Sequence, residues 1–237
     1  MAAALALAFQ SSHLQDGLAE FLTMIRGCNI IAGKDQLMNP DSAFHAFREA
    51  GHLATMQNRL SNVSQFPVDT NDLDDATASI KAVETLPLTD WEEAFHNVIV
   101  RTLEFAYHYP VQGEYSLFSG NAGYLQFGQA YTTFVTLYNL PSRWTHDQFQ
   151  SFINPHNSTA QILLAHFIAV QAIISPILWF ERMGFQGVNA PTALLSWIEN
   201  IYRTVPDCFR PYLEWCRTIS RYPLHRINAT RQIEYDP

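Results

Sequence analysis

The chain reads as an all-α protein, an irregular bundle of about eight helices packed around a long buried central helix. Three observations predict this. Apolar residues recur at helical spacing along nearly the whole sequence, and period-2 alternation is almost absent. Capping boxes, prolines and glycines punctuate the periodic stretches. One stretch, AQILLAHFIAVQAIISPILWFERMGF, is apolar on most sides, as a helix surrounded by others must be. With 237 residues, 48% of them hydrophobic and 13% aromatic, the chain supports one helical domain over 1–237.

The first fourteen residues, MAAALALAFQSSHL, present Leu5, Leu7, Phe9 and Leu14 with almost no charge. They lack the basic start and the cleavage site of a secretory signal, so they read as the end of a docked helix. An apolar terminus of this kind marks an interface, which predicts a homodimer or another protein partner. Leu18, Phe21, Leu22, Ile25 and Cys28 then form one helical stripe, with Gly33 as its stop. Asn39-Pro40 bars resumption before Asp41 or Ser42 caps a second helix carrying Phe44 and Phe47. Arg26-Gly27 interrupts the first helix, where glycine costs about 1 kcal/mol relative to alanine. That pair predicts close helix packing with an arginine aimed at a specific partner.

Residues 69–93 hold eight acidic side chains against Lys81, a net charge of −7 within a total of −8. The spacing suggests a solvated acidic loop near 64–88 leading into a helix start. Thr89-Asp90-Trp91-Glu92 is a capping box, and Trp91, Phe95, Val98, Ile99, Thr102 and Ala106 form the stripe behind it, up to Pro110. Gly113, Gly120, Gly123 and Gly128 mark a loop near 110–128, with a helix resuming about Tyr124 or Gln129. A second box, Ser158 to Gln161, opens the long apolar helix after Asn154-Pro155, and Pro176 should kink it. Asn189 or Ala190 begins a helix with Leu194, Leu195, Ile198, Ile201, Tyr202 and Val205 in register, stopped by Pro206. Asp207 caps the last, with Cys208, Tyr212, Trp215 and Ile219 on one side.

Several function classes are disfavoured. An acidic chain with no run of Lys or Arg is a poor phosphate ligand, so no direct nucleic-acid contact is expected. The nearest basic group, Arg217, Arg221, His225, Arg226 and Arg231, reads as a loosely structured tail. Gln161, His166 and Gln171 interrupt the apolar helix and no basic cluster flanks it, against a membrane span. Cys28, Cys208 and Cys216 are scattered, as in a reduced intracellular chain. The sequons at Asn62, Asn157 and Asn228 are near the number that chance supplies.

Catalytic patterns are incomplete. Glu93-x-x-His96 occurs once, whereas di-iron bundles need the motif twice, so it reads as a surface helix start. Asp72, Asp74 and Asp75 resemble a magnesium motif, but positions i+4 and i+8 from Asp75 are Ser79 and Val83. His45 and His52 lack zinc-protease spacing, and neither a nucleophile elbow nor a phosphate loop is present. A non-enzyme without metal or cofactor is expected. The alternative is a small all-helical enzyme of terpenoid or secondary metabolism, acting on a prenyl diphosphate through Asp74 and Asp75. The suggestive polar residues are His166 and Gln171, set inside the apolar helix. They serve either as structural hydrogen-bonding groups or as polar handles in a pocket for a hydrophobic small molecule.

Residues 18–47, in the order FL..IRGC, short break, S.F..F, resemble the regulatory domain of fungal binuclear-zinc-cluster transcription factors of the sterol-uptake-regulator type. The stretch NPHNSTAQILLAHFIAVQAIISPILWFERMGF, with its LLAHF.A.Q…P pattern, and the closing WIENIY and YLEWCR segments are similar to the same group. The resemblance implies a helical regulatory half in the nucleus, commonly dimeric and in some members able to bind a hydrophobic small molecule. The six-cysteine zinc cluster of those factors is absent from this sequence, as is the basic region beside it.

Overall fold

The computed structural model describes Leu14 and residues 17–32, 70–107, 122–174 and 190–221. Among them the protein is all-α, with eight α-helices and no strand. In chain order they are α1 (Leu18–Ala32), α2 (Thr70–Ala82), α3 (Asp90–Tyr107), α4 (Ala122–Asn139), α5 (His146–Ile153), α6 (Ser158–Ile173), α7 (Ala190–Thr204) and α8 (Glu214–Arg221). Short 3-10 turns follow α2 (Val83–Thr85) and α4 (Leu140–Arg143), and another precedes α8 (Asp207–Leu213). The expected helix within residues 2–14, the Gly33 stop, the helix at 41–47, His45, His52, Gly113, Gly120, the Pro176 kink and the tail beyond 221 lie outside the described residues.

The central helix is α6. Every residue from Ala160 to Val170 is buried, including Gln161 and His166. Helices α2, α3, α5, α7 and α8 all pack on it. No helix among the described residues is long and apolar enough to cross a membrane. The start of α6 differs by one residue from expectation. Its cap is Asn157, not Ser158, and the Asn157 carboxamide oxygen accepts from the Ala160 amide at 3.2 Å. Asparagine outranks serine only slightly as a cap, so neighbouring contacts decide between them. Here Asn157 Nδ2 also donates to Glu92 Oε1 at 2.8 Å and to the Ser151 carbonyl at 3.1 Å.

The acidic segment is the main correction. Rather than a loop through 64–88, residues 70–82 form α2, and its buried side is Leu73, Ala76 and Ile80, continued by Val83. Those positions are spaced i, i+3, i+7, i+10, a helical stripe as regular as that of α1. Asp74 and Asp75 are exposed on its outer side. Solvated carboxylates thus share a helix with a thin apolar stripe, and charge density alone conceals it.

In α3 the buried face is Glu92, Phe95, His96, Ile99, Thr102, Leu103 and Ala106. It is turned from the expected one, since Trp91 and Val98 are only partly covered. Glu92 belongs to the buried face, where it accepts from the Thr89 amide at 2.9 Å and the Thr89 hydroxyl at 2.7 Å. Helix α4 begins at Ala122, within the stretch expected as a loop, and buries Ala130, Phe134 and Leu137. A full capping box at Thr145 and Gln148 starts α5, which buries Phe149 and Phe152. Near the end, Pro211 cannot donate to an α-helical ladder and its ring would meet the carbonyl four residues back. Residues 207–213 accordingly form a 3-10 turn before α8. Cys208 is exposed on that turn, not on the buried side, while Leu213, Cys216 and Ile219 are buried.

Candidate functional site

Two groups of polar side chains reach into this apolar framework. The first belongs to α1. Its stripe seats Leu22 and Cys28 in the core, with Phe21 against Tyr138 and Trp197. This orientation turns Arg26 and Asn29, one helical turn apart, toward the end of α4. Arg26 Nε donates to the Pro141 carbonyl and Nη2 to the Trp144 carbonyl, both at 3.0 Å. Asn29 Nδ2 donates to the Tyr138 carbonyl at 2.8 Å. The arginine carbon lies 4.7 Å from the centre of the Phe149 ring. Carbonyls at the end of a helix have no partner in their own ladder, and a cation there also meets the negative end of the dipole. Arg26 and Asn29 therefore form a clamp that closes α4 and fixes the turn leading to α5.

For Gly27, expected at a close helix crossing, the described residues show no such crossing. A Cβ built on Gly27 meets no atom within 4 Å among the described residues. The partner predicted for Arg26 is present within the chain, but it is a set of backbone carbonyls. Asn29 was missed by sequence reasoning, though its i+3 spacing from Arg26 puts both on one helix face.

The second group surrounds His166, which is fully buried. Its Nδ1 lies 2.9 Å from the Ile162 carbonyl, and its Nε2 lies 2.9 Å from Ser79 Oγ on α2. A carbonyl only accepts, so Nδ1 carries the proton and Nε2 accepts from the serine hydroxyl. The ring stacks on Trp215 of α8, with centroids 5.8 Å apart and planes at 28°. Burial in apolar surroundings pulls the imidazole pKa down to about 4, the Ile162 carbonyl opposes that, and His96 adds to it. His166 is thus neutral near pH 7 and ties α2, α6 and α8 together. His96, buried beside it on α3, donates Nε2–H to the Ile80 carbonyl at 3.0 Å. It is therefore a core histidine rather than part of a surface helix start. Ser79 and Trp215 carried no distinguishing sequence signal.

Gln171 is half-buried near the end of α6. Five helical residues rotate it about 140° from His166, so the two polar residues of this helix do not converge. Arg217 and Arg221, expected in a loose tail, lie on α8 and both bind Glu199 Oε1, at 3.3 and 2.9 Å. Burial pushes the Glu199 carboxyl up, but Arg221 and Arg217 outweigh it and hold the group below its usual value. Arg217 also covers the Tyr202 ring at 3.9 Å.

Among the described residues, no three His, Cys, Asp or Glu side chains approach closely enough to hold a metal ion. Glu93 is exposed while His96 is buried, so this pair does not face one site. Asp74 and Asp75 point outward, and the Ser79 hydroxyl is engaged by His166. The arrangement is suited to holding helices in register. No protein family, curated protein or solved structure matches the chain.

Proposed function

We propose that this chain is the regulatory or effector half of a fungal binuclear-zinc-cluster transcription factor, acting in the nucleus while a separate module contacts DNA. The observation that carries the reading is the Arg-Gly-Cys-Asn segment of α1. Arg26, Gly27 and Cys28 belong to the resembling motif, and Arg26, together with Asn29 just beyond it, holds the junction between α4 and α5 through three backbone carbonyls. A signature made of packing and clamping residues is what a helical regulatory domain would carry, since it has no reacting atoms to position. The second resembling segment supplies α6, the axis of the core. A homodimer or another protein partner, and a hydrophobic small molecule near the Gln171 end of α6, complete the reading.

The test is to fuse the whole chain to an unrelated DNA-binding module and follow a reporter gene in cells with normal or depleted sterol. The expected result is a several-fold change in transcription that sterol level alters. Gln171→Leu is expected to change the sterol response while leaving the melting temperature intact. A folded, nuclear fusion with no effect on transcription in either direction would overturn the proposal. Magnesium-dependent turnover of a prenyl diphosphate, abolished by Asp74→Ala with Asp75→Ala, would replace it with an enzyme.

A further inference from the structure

Asn157-Ser158-Thr159 is an acceptor sequence for N-linked glycans, yet the side chain it would modify is fully engaged in the fold. The Asn157 carboxamide oxygen caps α6 through the Ala160 amide, which fixes the rotation of the group. Its nitrogen directs one proton to Glu92 Oε1 at 2.8 Å and the other to the Ser151 carbonyl at 3.1 Å. Glu92 is itself buried, at 2% exposure, and also holds Thr89 at the start of α3.

Glycan transfer forms a bond from Asn157 Nδ2 to the first sugar carbon. It breaks that carbon's bond to the phosphate of a lipid pyrophosphate-linked oligosaccharide, and one amide proton leaves to a base. A carbon then stands where a proton stood, about 1.45 Å from nitrogen. Along either hydrogen-bond direction, that leaves less than about 2 Å to the acceptor oxygen, far inside contact distance. Neither proton can be replaced while both acceptors stay in place.

We infer that an unmodified Asn157 is a condition of folding, so that this chain is built for a compartment without oligosaccharide transfer, on the cytosolic and nuclear side of cell membranes. The inference stands on the geometry of Asn157 and does not need the transcriptional reading. It also identifies a modification that would trap the chain. In a secretory lumen the sequon is presented before α6 forms, and a glycan there displaces either the bond to Glu92 or the bond to the Ser151 carbonyl, and with it the side-chain rotation that aligns the cap.

The test directs the whole chain into the secretory pathway of a eukaryotic host behind an added signal peptide. Ser64→Ala and Thr230→Ala silence the sequons at Asn62 and Asn228 in every arm. One arm keeps Asn157-Ser158-Thr159, and the other carries Thr159→Ala, which removes the sequon and leaves Asn157 in place. The same two chains made in the cytosol of a bacterium show whether Thr159→Ala folds. The expected result is that folded secreted protein lacks a glycan at Asn157, that retained protein carries one, and that Thr159→Ala raises the folded yield several-fold. Any glycosylated chain recovered should melt about 5–10 °C lower. Folded, monodisperse protein with a glycan on Asn157 and an unchanged melt would overturn the inference. Equal folded yields from the two arms would overturn it as well.

Discussion

Replacing Arg26 by methionine removes the arginine half of the clamp while keeping most of the hydrophobic stem. Two charge-assisted hydrogen bonds, each 3.0 Å long, are lost together with the guanidinium over Phe149. Hydrogen bonds to charged groups contribute about 1.5–3 kcal/mol each, and an exposed cation–π contact about 0.5–1. Arg26 is half-buried, and water can reach part of the site, so the lower end of each range applies. The Pro141 carbonyl also keeps a long bond, 3.4 Å, from the Trp144 amide. A loss of about 3 kcal/mol follows. For a chain of this size that is a fall of about 6–12 °C in melting temperature. Arg26→Lys should fall between, because an ammonium on a single-stem side chain does not reproduce the fork that spans two carbonyls. Urea denaturation followed by circular dichroism gives the difference directly, provided the transition is two-state. A loss below about 0.5 kcal/mol for Arg26→Met would refute the clamp, leaving Arg26 a surface residue of the kind whose replacement has little effect.

Two further perturbations read other parts of the structure. The folded pKa of His166 is depressed to about 4 from an ordinary 6.5, so the native state resists the proton that the unfolded chain takes up. Stability is then complete above pH 6.5 and falls as pH drops from there toward 4, by about 3 kcal/mol in all. His166→Gln should start lower at pH 7 but lose less on acidification, as urea midpoints between pH 7 and 4.5 would show. Gly27→Ala should stabilise by about 0.5–1 kcal/mol, because the added methyl has open space and α1 gains a better helix former. A melting temperature that falls in this variant would mean that Gly27 does sit against something.

Much of the fold was legible because helices announce themselves in periodicity, and the periodic segments of α1, α3, α6 and α7 are long. What escaped notice did so for identifiable reasons. The stripe of α2 is one residue wide per turn and is outnumbered by carboxylates, so net charge suggested a loop. The glycines near the start of α4 suggested the same, though a helix can absorb Gly123 and Gly128 at modest cost when Phe134 and Leu137 bury behind them. The candidate site was legible in part. Arg26 and His166 drew attention as a charge and a polar group in apolar helices, and both have specific partners. Those partners could not be read from the sequence. Arg26 finds Pro141 and Trp144 at separations of 115 and 118 residues, and His166 finds Ser79 at 87. Backbone carbonyls have no residue type to betray them, and Ser79 is one serine among many.

The covered position of α6 also has a consequence for the order in which the chain can be completed. Helices α2 and α3 leave the ribosome well before residues 158–173, the segment that their apolar sides are shaped to meet. At about 5–20 residues per second, several seconds pass with Ile80, Phe95 and Ile99 lacking their eventual neighbour. During that interval the acidic outer side of α2 is a useful attribute. Its exposed carboxylates, Asp74 and Asp75, keep the outer side of that early helix solvated while its apolar stripe waits for the central helix.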